Sequence, residues 1–142
     1  MTVFLIKKGI IKTLRKAFDN LPVYAERVEQ GFSRPSFFVF LKTAGGKREL
    51  GQRRRKSAEF DIQYFPAAGE KQNEDMYAMG DELLELFEEV ETDSGVLRPA
   101  EAMYEIEDDV LHVSFSVCWF TRKEKPAAAL VSKIDTEVLN GR

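Results

Sequence analysis

The sequence predicts an α+β fold: a mostly antiparallel sheet of about five strands with two helices packed on it, in the order helix, three strands, helix, two strands and a C-terminal tail. Three observations lead there. Two segments, 3–20 and 72–90, carry apolar residues at steps of three and four, the helical period. The segments between and after them are aromatic and β-branched runs bounded by Gly, Pro and Asp. Strands and helices do not alternate strictly, which disfavours a parallel strand-helix-strand architecture. With 142 residues and eleven Phe, the chain has material for one core, expected as a single domain over 1–125 with a tail over 126–142.

From Val3 to about Asn20, Ile6, Ile10, Leu14, Ala17, Phe18 and Leu21 fall on one helical face, while Lys8, Lys12, Arg15 and Lys16 fall largely away from it. Pro22 ends that helix, and Val23 to Val28 reads as a short strand closed by a Gln30-Gly31 turn. Pro35 opens the next strand, Ser36 to Thr43, where Phe37, Phe38, Val39, Phe40 and Leu41 run without alternation. Such a run suits a strand covered on both faces. Gly45-Gly46 gives a turn signal, and the chain returns through a basic loop into Ser57 to Phe65, where Phe60, Ile62 and Tyr64 alternate with Glu59, Asp61 and Gln63.

After the break at Pro66 to Gly69, Gln72 to Val90 places Met76, Leu83, Phe87 and Val90 on one face, with Asn73 as the expected cap. Glu74, Asp81, Glu85 and Glu88 lie roughly opposite. Thr92 to Gly95 reads as a loop, and Val96 to Glu107 with Val110 to Thr121 as a hairpin turning at Asp108-Asp109. Twelve residues in its second strand would span roughly 40 Å at about 3.3 Å each, long enough to project beyond a small sheet toward a neighbour. Beyond Pro126, Leu130, Ile134 and Val138 recur every four residues, which suits a short helix or a segment that orders on a partner.

Charged residues make up 32% of the chain and nearly balance, giving a net charge of -3, which does not favour a nucleic-acid binder. A single cysteine, Cys118, excludes an internal disulfide and multi-thiolate zinc sites, and reads as a small buried hydrophobe. The N-terminus lacks a signal peptide's apolar stretch, and no span has the roughly eighteen apolar residues of a membrane helix, so a cytoplasmic location without membrane contact is expected.

No catalytic, metal-binding or cofactor-binding residue is expected. His112 is the single histidine and shares a regular strand face with Ser114 and Ser116, a poor basis for converging nucleophile, base and acid. The carboxylates of 72–91 lack the loop ligands and glycine of a calcium-binding loop, and the glycines match no nucleotide-binding frame. The aromatics at strand positions serve as core and interface, each worth about 1.5 to 3 kcal/mol when buried. Two charged clusters are left. Lys47, Arg48, Arg53, Arg54, Arg55 and Lys56 form the strongest basic group, suited to an acidic protein surface and less well to DNA, since no aromatic is interleaved for stacking. Glu74, Asp81, Glu85 and Glu88 form an acidic helix face which, in a ring, could line or rim a channel and keep passing DNA from sticking.

EQGFSRPSFFVFL (from Glu29), RRRKSAEFDIQYF (from Arg53) and VLHVSFSVCWFTRKEK (from Val110) resemble segments of the bacteriophage and prophage tail terminator family, over about Lys7 to Lys125. The resemblance implies an α+β structural protein, not an enzyme. It implies a homo-oligomeric ring, expected as a hexamer, that caps the tail tube, ends its polymerisation and offers the surface for head joining. The implied partners are further copies of the chain, the tail tube protein and a head-tail connector protein, with DNA passing through without sequence-specific binding. Assembly would occur in the host cytoplasm before incorporation into the virion tail. The tail beyond Pro126 stands as an addition to the family pattern. The alternatives are another head-tail connector or completion protein, or a DNA-binding accessory protein using the basic cluster.

Overall fold

The computed structural model describes residues 1–123. Helix α1 (Val3–Ala17) starts where Thr2 Oγ1 accepts a hydrogen bond from the Leu5 amide at 3.2 Å, satisfying one of the free donors of the first turn. Arg15 and Lys16 sit in its last turn, where positive charge suits the helix dipole. Its buried face is Ile6, Gly9, Ile10 and Leu14, as the period predicts.

Strand β1 (Val23–Tyr24) is far shorter than the predicted Val23 to Val28, and it pairs in parallel with β2 (Ser36–Arg48), the one parallel ladder of the sheet. The chain leaves the ladder at Ala25, whose carbonyl accepts from Lys7 Nζ at 2.7 Å instead of from a strand. The five-stranded sheet runs in the order β1-β2-β3-β7-β6, with β3 spanning Arg53–Phe65, β6 Ala100–Glu107 and β7 Val110–Arg122. All remaining ladders in it are antiparallel. This is the predicted α+β class.

The Gly45-Gly46 turn is overturned. Both glycines lie inside β2, opposite Ser57 and Lys56, and the ladder continues to Arg48 opposite Arg54. The Lys56 side chain lies over Gly46, its Cδ 3.3 Å from where a Cβ would stand, so the space a side chain would fill is already taken. The actual turn is a short 3-10 segment at Leu50–Gln52, with Gly51 at φ 69° and Gln52 at φ 70°. Left-handed backbone of this kind is what glycine supplies cheaply.

Helix α2 (Gln72–Leu86) ends earlier than predicted, and its N-cap is Lys71, without a side-chain cap bond, in place of Asn73. Val90 is buried but belongs to a separate hairpin, β4 (Val90–Thr92) with β5 (Gly95–Leu97). The predicted strand Val96 to Glu107 is therefore two strands, parted at Arg98-Pro99, where proline has no amide to continue a ladder. The Asp108-Asp109 turn stands as predicted, both residues at positive φ (53° and 62°), the conformation of a type I′ hairpin.

One apolar cluster joins the elements: Ile6, Ile10 and Leu14 from α1, Met76, Leu83 and Phe87 from the α2 region, and Phe37, Val39, Phe60, Ile62, Phe115 and Val117 from the sheet. The opposite face of the sheet is covered locally by the segment after β1. Phe32 packs edge-on to Phe38 and Phe65, with ring centroids 5.2 and 5.0 Å away, and Tyr24 stacks on Phe38 at 4.9 Å. That is how Ser36 to Val39 come to be buried on both faces. From Leu41 onward β2 is exposed.

Candidate functional site

The six basic residues come together, but on strands and not in a loop. Lys47 and Arg48 end β2, Arg53 to Lys56 begin β3, and Lys47 faces Arg55 while Arg48 faces Arg54 across the ladder. Like charges directly opposite are unfavourable in an isolated sheet. The group forms the tip of a three-stranded arm, because β7 follows β3 to its end and pairs Arg122 with Arg53. At the tip one carboxylate partners the cluster among the described residues: Glu49 Oε1 lies 3.3 Å from Arg53 Nε.

The arm brings in two residues that sequence reasoning missed, Phe120 and Arg122. Phe120 is half-exposed, and the Arg53 guanidinium lies 3.8 Å from its ring centroid, an aromatic in the basic group after all. Its signal was the continued alternation of β7 past Trp119, which puts Phe120 on the face away from the helices. The same alternation exposes Cys118, against the buried position predicted for it, because nothing described covers that face of the arm. Arg55 Nε donates to Cys118 Sγ at 3.2 Å.

Both edges of the arm are open among the described residues. β1 pairs with β2 only at Phe37 and Phe38. β6 reaches β7 no further than Ser116, leaving Val117 to Arg122 without a ladder partner on that side. Exposed edges are ready templates for another strand.

The acidic residues Glu74, Asp81 and Glu85 lie along α2 and Glu88 in the turn after it, all exposed. Asp81 Oδ1 accepts from the Tyr104 hydroxyl at 3.1 Å, a bond that raises the Tyr104 phenol above its ordinary pKa.

His112 sits on the sheet face opposite the helices, Nδ1 3.2 Å from Asp61 Oδ2, and Gln63 Nε2 donates to the same oxygen at 2.9 Å. Among the described residues neither Ser114 nor Ser116 hydrogen-bonds His112, so the three do not form a nucleophile-base pair. No group of three or more His, Cys, Asp or Glu among the described residues has metal-holding geometry, and no described helix is long and apolar enough to cross a membrane.

A family model described as "Phage tail terminator protein" matches residues 5–129, nearly the whole chain and four residues past the predicted boundary at 125. The predicted tail, 126–142, lies outside the described residues. No curated protein matches the chain. One solved structure aligns over 89% of this chain and 99% of its own, at 16% identity and a TM-score of 0.40.

Proposed function

The chain belongs to the phage tail terminator family, and from that premise we propose that it closes into a ring, expected as a hexamer, on the last ring of the tail tube. There it stops tube polymerisation and forms the surface to which the head is joined. A structural role in completing the phage tail follows from the family itself. As proposed, the chain's partners are further copies of itself, the tube and the connector, and it has no catalytic duty.

The observation that carries the ring is the arm. β2, β3 and β7 run side by side past the packed core with both outer edges open, so the edge of one copy can meet the opposite edge of the next. A contact between two different surfaces repeats head to tail and closes if the rotation permits. The basic tip, Lys47, Arg48 and Arg53 to Lys56, then projects toward the tube or connector, and DNA passes through the opening without being read. Assembly takes place in the host cytoplasm, and the ring ends in the virion tail.

The test is capping. Purified chain is added to polymerising tube protein, and tube length and end occupancy are followed by negative-stain imaging with a gold-labelled chain. Capping gives label at one tube end and arrested growth. Tubes that lengthen at the control rate with no label at either end would refute the proposal.

A further inference from the structure

Helices α1 and α2 lie on the same face of the sheet, α1 over β1 and β2 and α2 over β7 and β6, at opposite sides of that face. Each turns its apolar side to the sheet, and what it turns outward has one sign. On α1 the outward stripe is Lys8, Lys12, Arg15 and Lys16, all exposed. These four line a groove of about 510 Å³ whose other wall carries Glu91 and Asp93, so positive charge prevails there by four to two. On α2 the outward stripe is Glu74, Asp81 and Glu85, continued by Glu88 in the turn after it.

The two stripes share more than opposite charge. Phe4, Lys8, Lys12 and Arg15 step by four, four and three, and Tyr77, Asp81, Glu85 and Glu88 step identically. At about 100° per residue such steps hold Phe4, Lys8, Lys12 and Arg15, and likewise Tyr77, Asp81 and Glu85, within roughly 80°, with Glu88 following in the turn after α2. Each set therefore starts with an aromatic, Phe4 at 68% and Tyr77 at 51% exposure, and continues with three charges. Exposed aromatics among charges are what docking surfaces carry and free surfaces seldom need.

We propose that this helix-bearing face is a docking surface for a second copy of the chain, the basic stripe of α1 seating against the acidic stripe of the other copy's α2. Because both stripes lie on one face, two copies related by a two-fold axis satisfy both contacts at once. The surface is separate from the strand edges, and the inference does not depend on ring closure. It assigns the acidic stripe to a contact between copies and not to the rim of a channel.

The experiment uses two full-length variants. Lys8→Glu with Lys12→Glu takes the α1 stripe from a net charge of four positive to zero, and Glu85→Lys with Glu88→Lys takes the acidic stripe from four negative to zero. Neither pair should cost folding: these lysines are solvent-facing, and α2 has no basic residue in its last turn, where positive charge suits the dipole. Circular dichroism and thermal melts establish that both are folded. Sedimentation velocity at about 0.05 M and about 0.5 M salt then reads self-association.

The expected result is wild-type association that weakens with salt, a loss on the order of tenfold or more in either variant alone, and recovery when the two are mixed. Equal association of wild type and each variant would overturn the inference while leaving the ring reading standing. So would failure of the mixed variants to bind each other, including where the wild type itself is monomeric. Salt-sensitive retention of duplex DNA, lost in the Lys8→Glu/Lys12→Glu variant with self-association unchanged, would give the groove to nucleic acid and overturn it too.

Discussion

Gly9→Ala probes how tightly α1 is seated. A Cβ on Gly9 would stand 2.5 Å from the Glu91 carbonyl oxygen, 3.2 Å from Thr92 Cγ2 and 3.3 Å from Val90 Cγ1. The first of these is about 1 Å inside the roughly 3.5 Å at which nonbonded heavy atoms sit comfortably. The oxygen belongs to the backbone of β4, which is tied by its ladder to β5, so it cannot swing aside as a side-chain end could. Two terms compete. Alanine is favoured over glycine in a helix interior by about 1 kcal/mol. Forcing an added carbon into a packed contact costs about 1 to 3 kcal/mol, and a backbone obstacle puts this site near the upper end. The clash wins, and the net loss is about 2 kcal/mol, a fall in melting temperature of about 4 to 8 °C for a chain of this length. Thermal and urea melts against wild type measure it. Gly69→Ala is the control, since nothing lies within 4 Å of its Cβ position, and it should stay within about 0.5 kcal/mol. A Gly9→Ala protein as stable as wild type, or more stable by the propensity gain, would refute the seating of α1 on β4.

Tyr64 is buried and donates to Asp75 Oδ2 at 2.9 Å, and burial first, then that bond, hold its phenol well above the ordinary 10.0. A group whose pKa is raised by folding contributes stability that is complete below its unfolded value and fades as pH climbs through the folded one. Wild-type urea midpoints should therefore fall from about pH 10 upward. Tyr64→Phe should lose about 1 kcal/mol at neutral pH and show a shallower alkaline fall; parallel falls would contradict this. His112→Ala should cost about 1 kcal/mol by urea titration, through the lost contact to Asp61, and leave tube capping intact. Replacing Arg53, Arg54 and Arg55 by Ala should leave the melting temperature within a few degrees and reduce co-sedimentation with tubes, most visibly at low salt. Unchanged co-sedimentation would remove the tip from the partner contact.

The helices and the cores of the long strands were legible because burial enforces period. Ile6, Ile10 and Leu14 are buried as their spacing requires, and so are Leu111, Val113, Phe115, Val117 and Trp119 on β7. What the sequence concealed lies where no burial enforces a pattern. Gly45-Gly46 and Gly51 offer the same turn chemistry, and local propensity cannot say which is used. The choice is made by the ladder opposite, where Arg54 to Ser57 pair on both sides and so hold β2 extended through Arg48. The split at Arg98-Pro99 has its signal in the proline, which lacks an amide for the ladder. The basic cluster was legible as a cluster and misplaced as a loop, and that misplacement hid its third strand and Phe120. The acidic residues needed only helical period: Glu74, Asp81 and Glu85 are exposed along α2, while Glu88 falls in the turn after the helix ends at Leu86.

The placement of the exposed residues explains why the arm has charge at its tip and glycine behind it. Eight consecutive residues of β2, Leu41 to Arg48, are exposed, so ordering their backbone at about 1 to 2 kcal/mol each has little apolar burial on that strand to offset it. Ladder bonds return only about 0.5 to 1.5 kcal/mol apiece. Part of the balance comes from the helix side, where Ala58, Val117 and Trp119 are buried. Beyond them, at Arg53 to Arg55, the arm has neither a covered face nor a paired outer edge, and it holds like charges opposite one another. A strand arrangement that its own molecule secures so thinly gains the most from a partner that pairs its edges and neutralises its tip. Stability and, on the proposed ring, readiness to assemble are thus divided along the same strands: the core half fixes the fold, and the proposal gives the distal half to the neighbours.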